Sequence, residues 1–135
     1  MCLLRLAGCA LTVLLLTTLS SASPPQIKNA ESVDFQRSVR PILSDKCFQC
    51  HGPDGETRMA GLRLDTREGI FAQRDNGAPI VIGKPQSSLL YQRITTTELA
   101  RRMPPVHSKK ELTEEQIETL KDWIEQGASW DQHWS

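Results

Sequence analysis

The chain has 135 residues, of which 16 are Lys or Arg and 16 are Asp or Glu, so its formal net charge is zero. This length predicts a single domain, and balanced charge without a basic run excludes nucleic-acid binding through a phosphate-neutralising patch. A hydrophobic fraction of 39% excludes a disordered protein. Aromatic residues make up only 5%, so a small core must find its volume elsewhere.

Residues 1–22 have the features of an export signal. One early cation, Arg5, precedes the apolar run 11–16, and Ser20 and Ala22 stand where a signal peptidase recognises small residues. The apolar run is too short for a membrane-spanning helix. We therefore expect an exported protein, periplasmic or otherwise extracytoplasmic, with no stable membrane anchor once the signal is cleaved. A short anchor that stays uncleaved is the alternative, because the segment carries a single positive charge.

Cleavage after the signal would leave two of the four cysteines, Cys47 and Cys50. Two cysteines so close in sequence cannot join distant parts of the chain, so the protein is not built on a disulfide framework. Residues 23–32 are polar and contain two adjacent prolines, which predicts a flexible lead-in. The domain itself is predicted to span residues 33–129.

A helix is predicted to start soon after the lead-in, capped by Asp34 or Ser32. Pro41 removes one backbone hydrogen bond within it, so we expect a kink there or a short helix. The pattern ends at Cys47. The apolar residues recur at i, i+4, i+7 and i+8, which places them on one helix face. They are Phe35, Val39, Ile42 and Leu43.

The run Cys47-Phe48-Gln49-Cys50-His51 is the most specific motif of the chain. Cys-x-x-Cys-His is the attachment site of c-type haem, where both thiols form thioethers with the haem vinyl groups. One helical turn separates Cys47 from Cys50, and His51 follows directly, so its imidazole is the expected proximal ligand of the iron. One covalent haem would also supply the apolar volume that this domain lacks.

Three other interpretations of this motif compete with haem. A thioredoxin-like redox pair would follow a strand and begin a helix, whereas here a helix is predicted to end at the motif. A zinc site would need two further ligands, and only His107 and His133 are available, without paired spacing. A structural disulfide agrees with export but leaves His51 unexplained.

Residues 51–84 are irregular and rich in glycine. A short helix is predicted to start at Asp65, with Glu68 at the capping-box position. Another helix is predicted from Pro85. Loops this long in a compact domain usually wrap around something. The apolar stripe of the second helix would comprise Leu89, Leu90 and Ile94.

The second axial position of a haem iron has four candidate ligands in the chain after export. Met103 is favoured because Pro104 and Pro105 fix the backbone beyond it, and a weak thioether ligand benefits from a rigid loop. Met59 is expected to face solvent or fill a gap, and His107 would give bis-histidine ligation. His133 is the fourth candidate, and an open or water-bound iron is the remaining alternative. A Met–His pair leaves no position for a substrate, which favours electron transfer.

The last helix has the clearest local signals. Thr113 and Gln116 form a predicted capping box, and Gly127 stops the helix. Its buried stripe would comprise Ile117, Leu120 and Ile124, with Trp123 beside it. The sequence thus predicts an all-α fold of about four helices joined by long loops. Residues 130–135 are predicted to be a tail, or the start of a linker to a missing domain.

The ordered set of motifs resembles the planctomycete-type cytochrome c domain, a class I-like c-type cytochrome. The resemblance runs from about Val33 to Trp134. The stretches that carry it are Val39-Arg40-Pro41-Ile42-Leu43, Cys47-Phe48-Gln49-Cys50-His51-Gly52, Gly61-Leu62-Arg63-Leu64-Asp65-Thr66-Arg67, Gly83-Lys84-Pro85, Ser88-Leu89-Leu90, Arg102-Met103-Pro104-Pro105 and Trp123-Ile124-Glu125-Gln126-Gly127-Ala128.

The resemblance implies a small class I cytochrome c-like fold wrapped around one covalently bound haem c. Cys47, Cys50 and His51 would hold the haem, and Met103, in the Met-Pro-Pro turn, would be the distal ligand of the iron. The first and last helices would cross, which would place Phe35 near Trp123.

The predicted function is one-electron transfer outside the cytoplasm with an unidentified redox partner protein, without enzymatic activity. One alternative is a haem-based sensor or peroxidase-like module with a displaceable Met103, where His107 is the plausible acid–base group. The other is the N-terminal haem domain of a truncated larger exported enzyme, because members of the family are commonly the front of much larger proteins. Candidates to neutralise the haem propionates or contact a partner are Arg40, Arg63, Lys84, Arg101 and Arg102, although each alone is more simply a solvated surface residue.

Overall fold

The computed structural model describes residues 32–130. The predicted export signal, nearly all of the predicted lead-in and the tail beyond residue 130 lie outside the described residues. Within them the secondary structure is helical and contains no strand, which confirms the predicted all-α class. No helix in this part of the chain has the length and apolar character needed to cross a membrane.

The N-terminal element is a π-helical turn, Phe35–Val39, that continues into α1, Arg40–Lys46. Asp34 caps it as predicted, since its carboxylate accepts a hydrogen bond from the backbone N–H of Arg37 at 2.7 Å. Of the two outcomes expected at Pro41, a kink or a short helix, the structure shows the short helix: α1 has 7 residues and the proline lies in its first turn. The predicted apolar face is buried in full: Phe35, Val39, Ile42 and Leu43.

Two short helices follow, α2, Phe48–His51, and α3, Arg67–Phe71. A 3-10 turn, Met59–Gly61, lies between them. The sequence predicted that α3 would start at Asp65, and this was wrong by one residue. Thr66 caps α3 by accepting a hydrogen bond from the backbone N–H of Gly69 at 3.1 Å, because the Asp65 carboxylate is engaged by a neighbouring arginine.

The helix predicted from Pro85 is divided into a 3-10 turn, Pro85–Ser87, and α4, Leu89–Thr95. The division falls at Ser88, whose buried hydroxyl accepts from the backbone N–H of Val81 at 2.8 Å and donates to the carbonyl of Lys84 at 2.9 Å. These bonds hold the preceding loop against the start of α4. The buried residues of α4 are Leu90 and Ile94, both from the predicted stripe.

The final helix, α5, Glu114–Glu125, follows a 3-10 turn at Val106–Ser108. Its capping box is confirmed: the Thr113 hydroxyl accepts from the Gln116 N–H at 3.2 Å, and the Gln116 amide oxygen accepts from the Thr113 N–H at 3.1 Å. Gly127 ends the helix with a φ of +105°, which residues with a side chain rarely adopt.

The core forms where α5 packs against the N-terminal helical element. The ring centroids of Phe35 and Trp123 lie 5.7 Å apart, which confirms the predicted proximity of these two residues. Trp130 also packs on Phe35, with ring centroids 4.1 Å apart. The two ends of the domain therefore form one packed unit, and the long loops between them carry the remaining motifs.

Candidate functional site

The Cys-x-x-Cys-His motif forms α2, which begins directly after α1. The carbonyl of Cys47 accepts hydrogen bonds from the backbone N–H groups of Cys50 at 3.1 Å and of His51 at 2.8 Å. The motif is therefore one closed helical turn, and both cysteines are partly buried free thiols. This is the one-turn separation that the sequence predicted.

The Cys47 thiol sits in surroundings that disfavour its ionisation. Burial raises the pKa of Cys47 to about 12, and the charges of Asp45 and Cys50 act in the same direction. The reactive cysteine of a thioredoxin-like pair has a lowered pKa instead. The environment of Cys47 thus argues against that interpretation of the motif.

The His51 imidazole is half-buried and its Nδ1 atom is fully enclosed without a hydrogen-bond partner. Burial lowers the pKa of His51, the backbone of Met59 opposes this effect, and the charge of Arg74 adds to it. A neutral imidazole is the form that ligates metals. A buried ring nitrogen without a partner is unusual, because most buried polar side-chain atoms form hydrogen bonds.

The loop after α2 is tied back to the motif by backbone contacts. The N–H of Leu64 donates to the carbonyl of His51 at 2.8 Å. The guanidinium of Arg58 donates to the carbonyls of Gly52 at 3.0 Å and Pro53 at 2.6 Å. A side chain on Gly52 would meet the Phe48 carbonyl oxygen at 2.2 Å, so only glycine fits this close approach. The backbone on the C-terminal side of His51 is thus fixed from several directions.

Met103 lies in the loop between α4 and α5. Its backbone N–H donates to the carbonyl of Arg93 at 2.9 Å, and the Met103–Pro104 peptide bond is cis. Its side chain is 37% exposed. It also lines a cavity of about 160 Å³ together with Ile94, Arg102, Pro104, Glu111, Leu112 and Ile117. Met103 thus stands at a partly apolar pocket between α4 and α5, on a loop anchored to the end of α4.

The other candidate axial ligands occupy different positions. Met59 is 61% exposed on its 3-10 turn, which confirms its predicted solvent-facing position. His107 is exposed on the turn Val106–Ser108, and His133 lies outside the described residues. Across residues 32–130, no group of three or more His, Cys, Asp or Glu side chains converges as a metal-ion site would require.

The motif and Met103 both lie in a stretch of the chain that matches a known protein family. Residues 47–107, which begin at the first cysteine of the motif and end at His107, match the family model described as Planctomycete cytochrome C. These residues form a planctomycete cytochrome C domain. A cytochrome C domain implies haem binding and electron transfer, and domains of this kind are typically extracytoplasmic.

The chain is also similar to a much longer protein. It is 32% identical over 127 residues to hydrazine synthase subunit alpha of Kuenenia stuttgartiensis, and the match covers 74% of this chain. The same match covers only 16% of that relative, so the chain corresponds to a small part of an enzyme subunit. No solved structure matches the chain.

The side chains of the cytochrome C domain provide the donor atoms that a haem needs. Two free thiols and a neutral imidazole lie on one helical turn, which is the donor set of a c-type haem. The loops also expose several large apolar side chains, as protein surfaces commonly do. These are Met59, Ile82, Leu99, Met103 and Val106.

Five cationic side chains of the cytochrome C domain are candidates to contact the haem propionates or a partner, and they fall into two groups. Arg63, Arg101 and Arg102 are engaged by Asp65, Glu98 and Glu111, respectively. Arg40 and Lys84 are exposed and form no ion pair with any residue between 32 and 130. None of these five side chains is buried in the core.

Two arginines near the motif were missed by sequence reasoning. Arg58 holds the loop after α2, and Arg74 donates from its Nη2 to the carbonyl of Ala60. Both bind backbone carbonyls, and every residue has one, so no sequence pattern marks these contacts.

Proposed function

We propose that this domain binds one haem c and transfers single electrons outside the cytoplasm. The observation that carries the proposal is the α2 turn, where Cys47, Cys50 and His51 lie together and the neutral imidazole has a buried, unpartnered Nδ1. Cys47 and Cys50 would hold the haem through thioethers, and His51 would be the proximal ligand. When bound, the haem supplies reversible one-electron chemistry of its iron.

Met103 would be the distal ligand. Its loop is held at the Arg93 carbonyl, and its side chain borders a pocket with apolar residues of α4 and α5. An anchored loop lowers the entropic cost of keeping a weak thioether ligand in place. With protein side chains at both axial positions, substrate would have no place at the iron, and this favours electron transfer over catalysis.

The proposed location outside the cytoplasm depends on export of the chain. Residues 1–22 would direct the chain out of the cytoplasm, the haem domain would comprise residues 33–129, and the lead-in 23–32 would separate them. The partner would be a redox protein that approaches the haem edge. Arg40 and Lys84 are candidates for that contact because both are exposed and form no ion pair within residues 32–130.

A second candidate function is supported by the enzyme relative. The chain matches 16% of hydrazine synthase subunit alpha of Kuenenia stuttgartiensis, which is the subunit of an enzyme. The domain would then be the haem-carrying part of a larger exported enzyme and would pass electrons to or from its remaining parts. A displaceable Met103 would turn the same domain into a sensor or peroxidase-like module.

The test is an absorption spectrum of the full chain produced together with a cytochrome c maturation system. Haem that resists extraction with acidified acetone establishes covalent attachment, and colour that washes out overturns the haem proposal. In the oxidised protein, Met ligation gives a weak far-red sulfur-to-iron band, and we expect this band in the wild type.

Two matched variants separate the candidate ligands. Met103→Ala is expected to abolish the far-red band and to let the reduced protein bind carbon monoxide at neutral pH. Met59→Ala, at the more exposed methionine, is expected to keep the band and to resist carbon monoxide. If the wild type already binds carbon monoxide readily, the iron has an open position and the sensor or peroxidase-like alternative is favoured.

A further inference from the structure

Two neighbouring residues before α5 form ion pairs with the two parts of the chain that carry the proposed haem ligands. The Nζ atom of Lys110 donates a hydrogen bond to Oδ1 of Asp45 at 3.0 Å, and Asp45 lies in α1, just before the Cys-x-x-Cys-His motif. The Oε1 atom of Glu111 lies 3.6 Å from Nη2 of Arg102, the residue directly before Met103. One short segment therefore connects the motif side of the site with the methionine side.

The segment that carries these two charged residues is held by contacts of its own. The backbone N–H of Lys109 donates to the carbonyl of Val106 at 3.2 Å, and that of Lys110 donates to the hydroxyl of Ser108 at 3.3 Å. On the other side, Leu112 packs against the hydrophobic core. The segment is thus anchored at both of its ends, so it can hold the elements that its charged residues bind.

The Met103 loop is bound on one side to α4. The N–H of Met103 donates to the carbonyl of Arg93 at 2.9 Å, and the Arg93 guanidinium donates to the carbonyl of Arg101 at 3.2 Å. The ion pair of Arg102 with Glu111 extends from the loop to the segment before α5, and both residues line the cavity that Met103 borders. This pair therefore joins the loop to a second part of the molecule.

We propose that Lys110 and Glu111 form a clasp that holds the Met103 loop closed over the iron of a bound haem. This inference rests on the proposed ligation of the iron by Met103. A thioether is a weak ligand, so Met103 is expected to leave the iron in a small fraction of molecules. An ion pair that favours the closed loop lowers that fraction, and the apparent affinity of the iron for an added ligand falls by the same factor.

The clasp also makes access to the iron depend on ionic strength. The side chain of Glu111 is 78% exposed and that of Arg102 is 33% exposed. Salt screens exposed charges, and a single exposed ion pair stabilises a contact only weakly. Salt should therefore weaken the clasp and increase the fraction of open loops, by a small factor rather than by orders of magnitude.

The experiment titrates imidazole, which binds ferric haem iron once Met103 has left it, into the oxidised haem-loaded full chain. The far-red sulfur-to-iron band disappears as imidazole replaces the methionine, so one spectrum reports both ligation and affinity. Glu111→Gln is compared with Glu98→Gln, because Glu98 also pairs with an arginine of the loop, Arg101, at 3.3 Å. That pair lies within one loop and cannot join it to another element.

Glu111→Gln is expected to raise the apparent affinity for imidazole about threefold in about 0.01 M NaCl. Glu98→Gln is expected to match the wild type. In about 0.5 M NaCl the wild type should approach the affinity of Glu111→Gln, since salt weakens the ion pair that this variant lacks. A charge-reversed pair, Arg102→Glu with Glu111→Arg, should return the low-salt affinity toward that of the wild type.

The other half of the clasp is tested at Lys110. Lys110→Gln removes the ion pair with Asp45 and is expected to raise the imidazole affinity as well, because the segment is then held less firmly to α1. Lys109→Gln is the matched control, since Lys109 is the exposed neighbour and forms no ion pair with any residue from 32 to 130. Wild-type affinity in Lys110→Gln would overturn the part of the clasp that is assigned to Lys110.

The remaining outcomes separate this inference from the proposed function. Equal affinities of Glu111→Gln and the wild type, with the far-red band present in both, would overturn the inference and leave the proposed function intact. An equal gain in Glu98→Gln would also overturn it, because loss of any nearby negative charge would then suffice. If the haem-loaded wild type lacks the far-red band, ligation by Met103 fails and the inference fails with it. If Glu111→Gln does not fold, as far-UV circular dichroism would show, Glu111 has a structural role and the inference is wrong.

Discussion

Arg63 and Asp65 form a bidentate ion pair. Leu64 lies between them in the sequence, and its N–H donates a hydrogen bond to the carbonyl of His51. Hydrogen bonds from Arg63 hold the pKa of Asp65 below its ordinary value of 3.8. A carboxyl with a lowered pKa in the folded state stabilises the fold above its unfolded pKa, and this contribution is lost as the pH falls through the lowered value. We therefore expect Asp65→Asn to destabilise the protein at neutral pH and to have little effect in strong acid.

This is measured by denaturant unfolding of the wild type and Asp65→Asn at about pH 7 and about pH 2. The difference between their unfolding midpoints should shrink toward zero at the lower pH, while all other carboxyls titrate alike in both proteins. Asp75→Asn is the matched control, because the side chain of Asp75 is exposed and has no ion pair within residues 32–130. A midpoint difference that persists in acid would show that Asp65 acts without its charge.

At the scale of single residues, the sequence predicts contacts between residues that are close together along the chain. It misses hydrogen bonds from side chains to backbone carbonyls elsewhere in the chain. Cys47, Cys50 and His51 were predicted together because one helical turn fixes their relation. Arg58 and Arg74 were missed because their acceptors are carbonyls, which carry no residue identity. Asp65 was misassigned as a cap because an arginine two residues away competes for the same carboxylate.

At the scale of elements, α5 allows a direct test of a predicted cap. Thr113→Ala removes the hydroxyl that accepts from the Gln116 N–H, and we expect a loss of about 1 kcal/mol in the free energy of unfolding. Thr119→Ala is the matched control in the same helix, because its hydroxyl only donates to the Glu115 carbonyl, which the helix already uses. That variant should lose nothing or gain about 0.5 kcal/mol from the higher helix propensity of alanine.

Denaturant unfolding of the three proteins under one set of conditions measures both changes. Equal effects of the two substitutions would contradict the assignment of Thr113 as the cap. A loss confined to Thr113→Ala would show that the capping box stabilises α5 in the whole protein.

Elements with strong local signals were predicted well, and elements shaped by distant contacts were not. The capping box of α5 involves residues three positions apart, so the sequence contains all of it. The division at Ser88 depends on hydrogen bonds to Val81 and Lys84, which lie in the preceding loop. The π-helical turn was also missed: the N–H of Arg40 donates to the carbonyl of Phe35, and no residue pattern predicts that shift in pairing.

At the scale of the whole molecule, the loops that carry the site are placed by contacts across the chain. The N–H of Gly83 donates to the carbonyl of Ile124 in α5 at 2.9 Å, and Lys110 reaches Asp45 in α1 at 3.0 Å. Such contacts join residues more than forty positions apart, so spacing along the sequence could not predict where Met103 lies relative to α2. The family resemblance supplied the expected pairing of the first and last helices, which the contact of Phe35 with Trp123 confirms.

Phe35 joins both ends of the domain and provides the last prediction. Its buried ring packs on Trp123 at 5.7 Å and on Trp130 at 4.1 Å between ring centroids. Phe35→Ala would leave a cavity beside these two indoles, and we expect a loss of about 3 to 5 kcal/mol in the free energy of unfolding. That loss is a large fraction of the about 5 to 15 kcal/mol that stabilises a typical domain, so the variant should unfold in much less denaturant.

Phe71→Ala is the matched control for this prediction. Phe71 is only partly buried at the edge of the core, and the guanidinium of Arg67 lies over its ring at 5.6 Å. We expect it to lose at most about half as much stability, because less apolar surface returns to water. Guanidinium unfolding of the haem-loaded full chain, followed by far-UV circular dichroism, measures both. If Phe71→Ala proved the more damaging, the stability of the molecule would depend on the packing around α3 more than on the contact between its first and last helices.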